Sequence, residues 1–141
     1  MTEHKKLLLT EKALEARKFS YVPYSNFRVG AALLTADGRI VTGCNIENAS
    51  YTPTNCAERT AVFKAVSEGI LEFKAIAIAG GPGEEPPKDF APPCGVCRQV
   101  LMEFCDPDEF TVLLCRGDKT WKEFTLRELM PLGFSGKNLE G

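Results

Sequence analysis

Phe27-Arg28-Val29-Gly30-Ala31-Ala32-Leu33-Leu34-Thr35, then Ala36-Asp37-Gly38, then Arg39-Ile40-Val41-Thr42-Gly43-Cys44-Asn45-Ile46: this stretch decides the fold. Two β-prone runs flank an Asp-Gly pair, and that pair tolerates the left-handed backbone of a tight reversal, so the spacing predicts an antiparallel hairpin. Working outward, residues 7–22 carry Leu7, Ala13, Leu14, Arg17 and Tyr21 at mixed three- and four-residue spacing. This predicts a helix, with Thr10-Glu11 as its candidate start and Pro23 as its stop. On the other side, the turn chemistry of Thr52-Pro53-Thr54-Asn55 precedes a helix over 56–68 that Gly69 closes. A short buried strand over 74–79 follows. Gly80-Gly81-Pro82-Gly83 and Pro86, Pro87, Pro92 and Pro93 then read as one long irregular loop. Beyond it the pattern predicts a helix over 94–104, strands over 110–115 and 121–125, and a short helix over 126–130. Helices alternating with about five strands imply an α/β fold, a three-layer α/β/α sandwich around a mixed sheet.

The 141 residues fit a single domain, with residues 1–9 and 136–141 expected to be peripheral. Lys and Arg number 17 against 19 Asp and Glu, for a net charge of -2, and apart from Lys5-Lys6 there is no run of basic residues that could follow a phosphate backbone. Polymeric nucleic acid is therefore not an expected partner. No apolar run approaches the roughly 20 residues of a membrane helix, and the three leucines after Lys6 are too few for a secretory signal. The expected compartment is the cytoplasm, where the six cysteines are thiols available for metal binding or packing.

Cys94-Gly95-Val96-Cys97 places two thiols one helical turn apart. Tetrahedral zinc with Zn–S bonds of about 2.3 Å needs sulfurs about 3.8 Å apart, which such a pair at a helix start can supply. A helix N-terminus also favours thiolate over thiol. Taken alone, the motif favours metal, with two packed cysteines and then a redox pair as the alternatives. Cys56-Ala57-Glu58 opens another helix, and an ion just beyond that helix tip is within reach of both Cys56 and Glu58. Glu58 has a second reading, because Asn55 followed three residues later by Glu58 is a capping-box pattern. Together the two motifs offer three thiolates and a carboxylate, while the one histidine, His4, lies near the terminus. Three protein ligands leave a fourth zinc position open for water, the catalytic arrangement. Cys44, Cys105 and Cys115 are the candidates for closing that shell, although their apolar neighbours favour packing.

Cys56-Ala57-Glu58 followed by Pro93-Cys94-Gly95-Val96-Cys97 matches the zinc-deaminase signature in its three-cysteine form. With Tyr24-Ser25-Asn26-Phe27-Arg28-Val29-Gly30-Ala31-Ala32-Leu33 and Asn45-Ile46-Glu47-Asn48-Ala49-Ser50-Tyr51, the chain resembles the small homotetrameric, zinc-dependent cytidine deaminases over about residues 10–134. That resemblance implies one zinc per chain on Cys56, Cys94 and Cys97. It also implies attack of zinc-bound hydroxide at C4 of cytidine or 2′-deoxycytidine, with Glu58 shuttling the proton and ammonia leaving, in pyrimidine salvage. By the same resemblance Phe27 packs on the pyrimidine, Ala57 offers backbone groups to its edge, and Asn45 and Glu47 hold the ribose. Arg59 supports a ligand sulfur, and Tyr51 and Phe134 line sites near subunit contacts. Two other readings are a deaminase of another aminopyrimidine nucleoside, of the blasticidin S type, and a zinc-stabilised binding module without catalysis.

Overall fold

The computed structural model describes residues 1–140. The elements run α1 (Glu3–Ala16), a 3-10 turn (Arg17–Phe19), β1 (Phe27–Thr35), β2 (Ile40–Cys44), α2 (Ala57–Ser67), β3 (Phe73–Pro82), α3 (Gly95–Phe104), β4 (Thr111–Cys115), β5 (Trp121–Thr125) and α4 (Leu126–Leu129), with a second 3-10 turn at Gly136–Leu139. They form one mixed sheet in the order β2-β1-β3-β4-β5. Only the β3–β4 pairing is parallel, and α3 makes that crossover.

Period-two alternation along the strands sorts the interior into two layers. Ala31, Leu33, Ile76, Ile78, Val112 and Leu114 face α2 and α3, where they join Ala61, Val62, Leu101 and Met102. The intervening Ala32, Leu34, Ala75, Ala77, Ala79 and Leu113 face the opposite side and pack with Leu9 and Ala13 of α1. The result is the expected three-layer α/β/α arrangement, and each fully buried Leu or Ile contributes about 1.5–3 kcal/mol. Alanines dominate the α1 side, so that helix sits close to the sheet. A Cβ at Gly30 would lie 2.0 Å from the Ala13 carbonyl oxygen, and one at Gly43 would lie 2.5 Å from the Ala61 nitrogen of α2. These two glycines let a helix press onto each face of the hairpin.

Two expectations need correction. The first helix begins at Thr2, whose hydroxyl accepts from the Lys5 amide, and it ends at Ala16 instead of continuing to residue 22. Thr10 is not its start. It is buried within the helix and donates back to the Lys6 carbonyl, and the N-terminal segment expected to be peripheral already contributes the fully buried Leu9. Second, Gly80 and Gly81 are not loop. They extend β3 to Pro82, paired with Val29 and Arg28 of β1, because an available partner strand outweighs local glycine propensity. Among the described residues no helix is long and apolar enough to cross a membrane.

Candidate metal centre and active site

The N-termini of α2 and α3 meet above the sheet. Cys56 is the N-cap of α2, Cys94 is the N-cap of α3, and Cys97 lies in the first turn of α3. All three Sγ atoms fall within 4.8 Å of one another, and those of Cys56 and Cys94 are 3.7 Å apart. That separation agrees with the spacing of about 3.8 Å that tetrahedral Zn–S bonds impose, so the residues are positioned to bind a metal ion. The Cys97 amide donates to Cys94 Sγ at 3.4 Å, and Arg59 Nη2 donates to Cys56 Sγ at 3.3 Å. The neighbouring Cys97 sulfur, together with Arg59 and Cys94, holds the Cys56 thiol down to about 5 against the opposing effect of burial. The Cys97 thiol is shifted the other way, pushed up by its bond to Cys56, its burial and the nearby Glu58. Three sulfurs at this spacing are a donor set that a soft, borderline cation can take over.

Glu58, in the first turn of α2, is 4% exposed. Burial lifts its carboxyl to about 7 and the Cys56 charge adds to that, while the adjacent Cys97 and Arg59 oppose it. The capping-box reading is not realised. Cys56 caps the helix without any side-chain cap bond, and the Asn55 amide donates instead to Thr60 Oγ1. Glu58 is therefore a buried carboxyl beside the sulfurs with no capping duty. Cys44, Cys105 and Cys115 lie outside the sulfur cluster; Cys115 donates to Thr10 Oγ1, and Cys105 ends α3 with its thiol pushed up by burial to about 12. Without any of them, the closed shell that a purely structural zinc site needs lacks its fourth sulfur.

Ala57, fully buried, is the first residue of α2. Phe27 opens β1 and lines a cavity of about 460 Å³ together with Gly80, Gly81, Phe90, Ala91 and Pro92. Asn45 and Glu47 lie just past the end of β2, and both address the segment that carries Phe27. Asn45 accepts from the Val29 amide at 2.9 Å and donates to the Phe27 carbonyl at 2.8 Å, as a neighbouring strand would. Glu47 accepts from the amides of Tyr24 and Ser25 and from the Ser25 hydroxyl, which hold its carboxyl below the usual range. Tyr51 is largely exposed, adopts φ 58°, and meets Tyr24 edge to face at 6.3 Å. Phe134 is 55% exposed, and its carbonyl accepts from Gln99 Nε2. Neither aromatic joins the sulfur cluster within one chain.

Sequence reasoning passed over three contributors. Ser25 links Glu47 to the Phe27 amide, a short polar turn that Tyr24-Ser25-Asn26 could have signalled. Arg98 fixes the approach to Cys94 by donating to the carbonyls of Pro93 and Leu129, and Gln99 tethers the tail. Nothing in the local pattern distinguishes Arg98 or Gln99 from solvated helix residues.

Residues 2–113 match the family described as the cytidine and deoxycytidylate deaminase zinc-binding region. Among relatives, a cytidine deaminase of Halalkalibacterium halodurans is 48% identical over 132 residues, covering 94% of this chain and 96% of its own. One from Sporosarcina psychrophila is 49% identical over 131 residues, covering 93% and 92%. Among solved structures, the cytidine deaminase of Burkholderia pseudomallei superposes with a TM-score of 0.83 at 44% identity, covering 95% of this chain and 100% of that one.

Proposed function

The chain belongs to the cytidine deaminase family, and from that footing we propose how its own residues carry the reaction. It is a zinc-dependent enzyme that converts cytidine or 2′-deoxycytidine and water to the uridine product and ammonia. The observation that carries this reading is the buried Glu58 carboxyl beside three sulfurs spaced for one metal ion. When bound, zinc supplies Lewis-acid activation of water. Glu58 takes a proton from the attacking water and passes it to N3 of the pyrimidine, then takes the remaining proton of that oxygen, now a hydroxyl on C4, and delivers it to the amine, which leaves as ammonia. The water oxygen stays on C4 as the carbonyl and the C–N bond breaks. A carboxyl lifted toward neutrality by burial suits a group that must both accept and release a proton. Two helix N-termini and Arg59 offset the negative charge of three thiolates.

Phe27 gives its ring face to the pyrimidine and Ala57 its backbone to the ring edge. At the ribose hydroxyls Asn45 donates or accepts through its amide and Glu47 accepts through its carboxylate, while both brace the segment that carries Phe27. Tyr51 and Phe134, exposed in one chain, are read as completing a neighbour's site in a homotetramer; that placement supports their exposure without ligands of their own. The chain is taken as one deaminase domain acting in the cytoplasm in pyrimidine salvage. A blasticidin S type of substrate finds less support, since the relatives at 48% and 49% identity are cytidine deaminases. The test is direct: purified protein given cytidine should yield equimolar uridine and ammonia, with one zinc per chain by elemental analysis. Zinc-loaded protein that leaves cytidine intact would refute the reading.

A further inference from the structure

We propose that Arg17 is a positioning residue for the deaminase reaction: it locks the turn after β3, and with it part of the lining of the cavity that Phe27 borders, before substrate arrives. The inference rests on the reading of Phe27 as the ring that faces the pyrimidine.

Arg17 follows α1 and is 6% exposed. Its Nε donates to the Arg28 carbonyl at 2.9 Å and Nη1 to the Glu85 carbonyl at 3.0 Å. Nη2 donates to the carbonyls of Gly81 at 3.0 Å and Gly83 at 3.4 Å. Among the described residues no carboxylate pairs with it, and the charge it senses is Arg28, a second cation. A buried guanidinium without an anion is unfavourable unless dipoles replace water around it, and here converging carbonyls do so. One planar group thereby ties together the residue after Phe27, the last turn of β3 and the start of the loop. The fit is close. A Cβ at Gly81 would lie 3.1 Å from Pro87 Cα and 3.6 Å from Arg17 Nη2, and one at Gly30 would lie 3.1 Å from Arg17 Cγ.

The clamp acts on one end of the loop only. Its middle is held by the Gly117 amide on the Pro87 carbonyl at 2.8 Å, and its far end by Arg98 on the Pro93 carbonyl at 2.8 Å. Losing Arg17 therefore loosens residues 83–86, of which Glu85 and Pro86 line the cavity with Phe27 and Gly81, while Cys94 stays anchored. Substrate fit should suffer, with the metal and Glu58 left in place. Lysine is a poor replacement, because a single ammonium cannot span carbonyls that a planar fork with five N–H groups reaches on separate sides.

The experiment compares zinc-loaded wild type, Arg17→Met and Arg17→Lys in steady-state cytidine deamination. Amide exchange is followed at Gly83, whose N–H donates to the Asn26 carbonyl at 2.7 Å. Small displacements far from the reacting atoms can be costly, so KM should rise about tenfold in Arg17→Met and about threefold in Arg17→Lys. With kcat within about twofold and zinc at one per chain, the loss is one of binding. Exchange at Gly83 should quicken in both variants. If Arg17→Met fails to fold, Arg17→Lys decides. An unchanged KM in folded Arg17→Lys, or a fall in kcat accompanied by zinc loss, would overturn the inference. Wild-type protein inactive on cytidine would instead refute the deaminase reading, which keeps the two failures apart.

Discussion

Replacing Glu58 by Gln isolates proton transfer from every other contribution of the site. The two side chains have nearly the same shape, but the amide cannot accept the proton from water or deliver it to N3 and the leaving amine. General acid–base groups contribute about 10²–10⁴-fold each, and in the proposed mechanism the same carboxyl serves successive transfers, so kcat should fall by at least about 10³-fold. In activation free energy that is about 4 kcal/mol. The structure says where the loss will not come from. Glu58 makes no helix-capping bond, so α2 keeps its start, and the three sulfurs that hold the metal are untouched. Removing a 4%-exposed carboxyl that burial already disfavours should also leave the fold about as stable as before. The assay pairs turnover of cytidine with zinc content and thermal unfolding on the same sample. Near-normal turnover with zinc bound would show that Glu58 is only a buried polar residue and would remove the proposed proton route. A fall in turnover matched by zinc loss would assign it to the metal shell instead.

Cys56→Ala, Cys94→Ala and Cys97→Ala should each lose zinc and activity together, whereas Cys105→Ala should retain one zinc per chain by elemental analysis; equal loss from Cys105→Ala would contradict the sulfur cluster. Gly30→Ala drives main chain against main chain, with the new Cβ 2.0 Å from the Ala13 carbonyl oxygen. A destabilisation of about 3 kcal/mol is expected, at the upper end of overpacking costs and visible as a lower denaturant midpoint. Asp37 is held at about 2 by its bonds to Arg39 and Thr35, below its ordinary 3.8. Its pKa is lower in the folded state, so its contribution is present above about pH 4 and disappears as pH falls through about 2. Asp37→Asn should lower stability above about pH 4 and flatten the acid limb of the stability curve over that window, as followed by denaturant midpoints across about pH 2–7.

The hairpin and the sulfur pair were legible because each depends on local chemistry. Asp37-Gly38 sits in the turn with Gly38 at φ 92°, and β1 and β5 occupy the residues their patterns mark out. Cys94 and Cys97 fall at the start of a helix as their spacing requires. What could not be read is set by partners distant in sequence. Gly80 and Gly81 look like loop until Val29 and Arg28 offer a strand to pair with. Asn45 looks like a polar strand end until its amide is found completing the hydrogen bonds of Phe27 and Val29. Thr10 resembles a helix start, yet in the middle of α1 its hydroxyl is satisfied by the Lys6 carbonyl, and Thr2 takes the capping role. Local rules were obeyed in each case, and a long-range contact chose among the options they allow.

The two halves of the site are braced by different residues, and this division has a functional consequence. The metal end depends on where two helices begin. Gly43 lets α2 settle so close to β2 that a Cβ there would lie 2.6 Å from the Ala57 carbonyl oxygen, which fixes the height of Cys56, and Arg98 holds the chain entering Cys94. The substrate end depends on how the start of β1 is held, by Asn45 on Phe27 and Val29, by Glu47 through Tyr24 and Ser25, and by Arg17 through Arg28 and Gly81. The hydrogen bonds of one set do not pass through the other, and the shared element is the sheet beneath them. A close-packed sheet does transmit strain, and damage at one end is expected to stay local because the two bracing sets have no hydrogen-bond partner in common. On the proposed reading of Phe27, substitutions around it should act on substrate binding, and those around Gly43 and Arg98 on metal retention. A metal centre that keeps its geometry while the substrate wall adapts allows changes in nucleoside preference without rebuilding the chemistry.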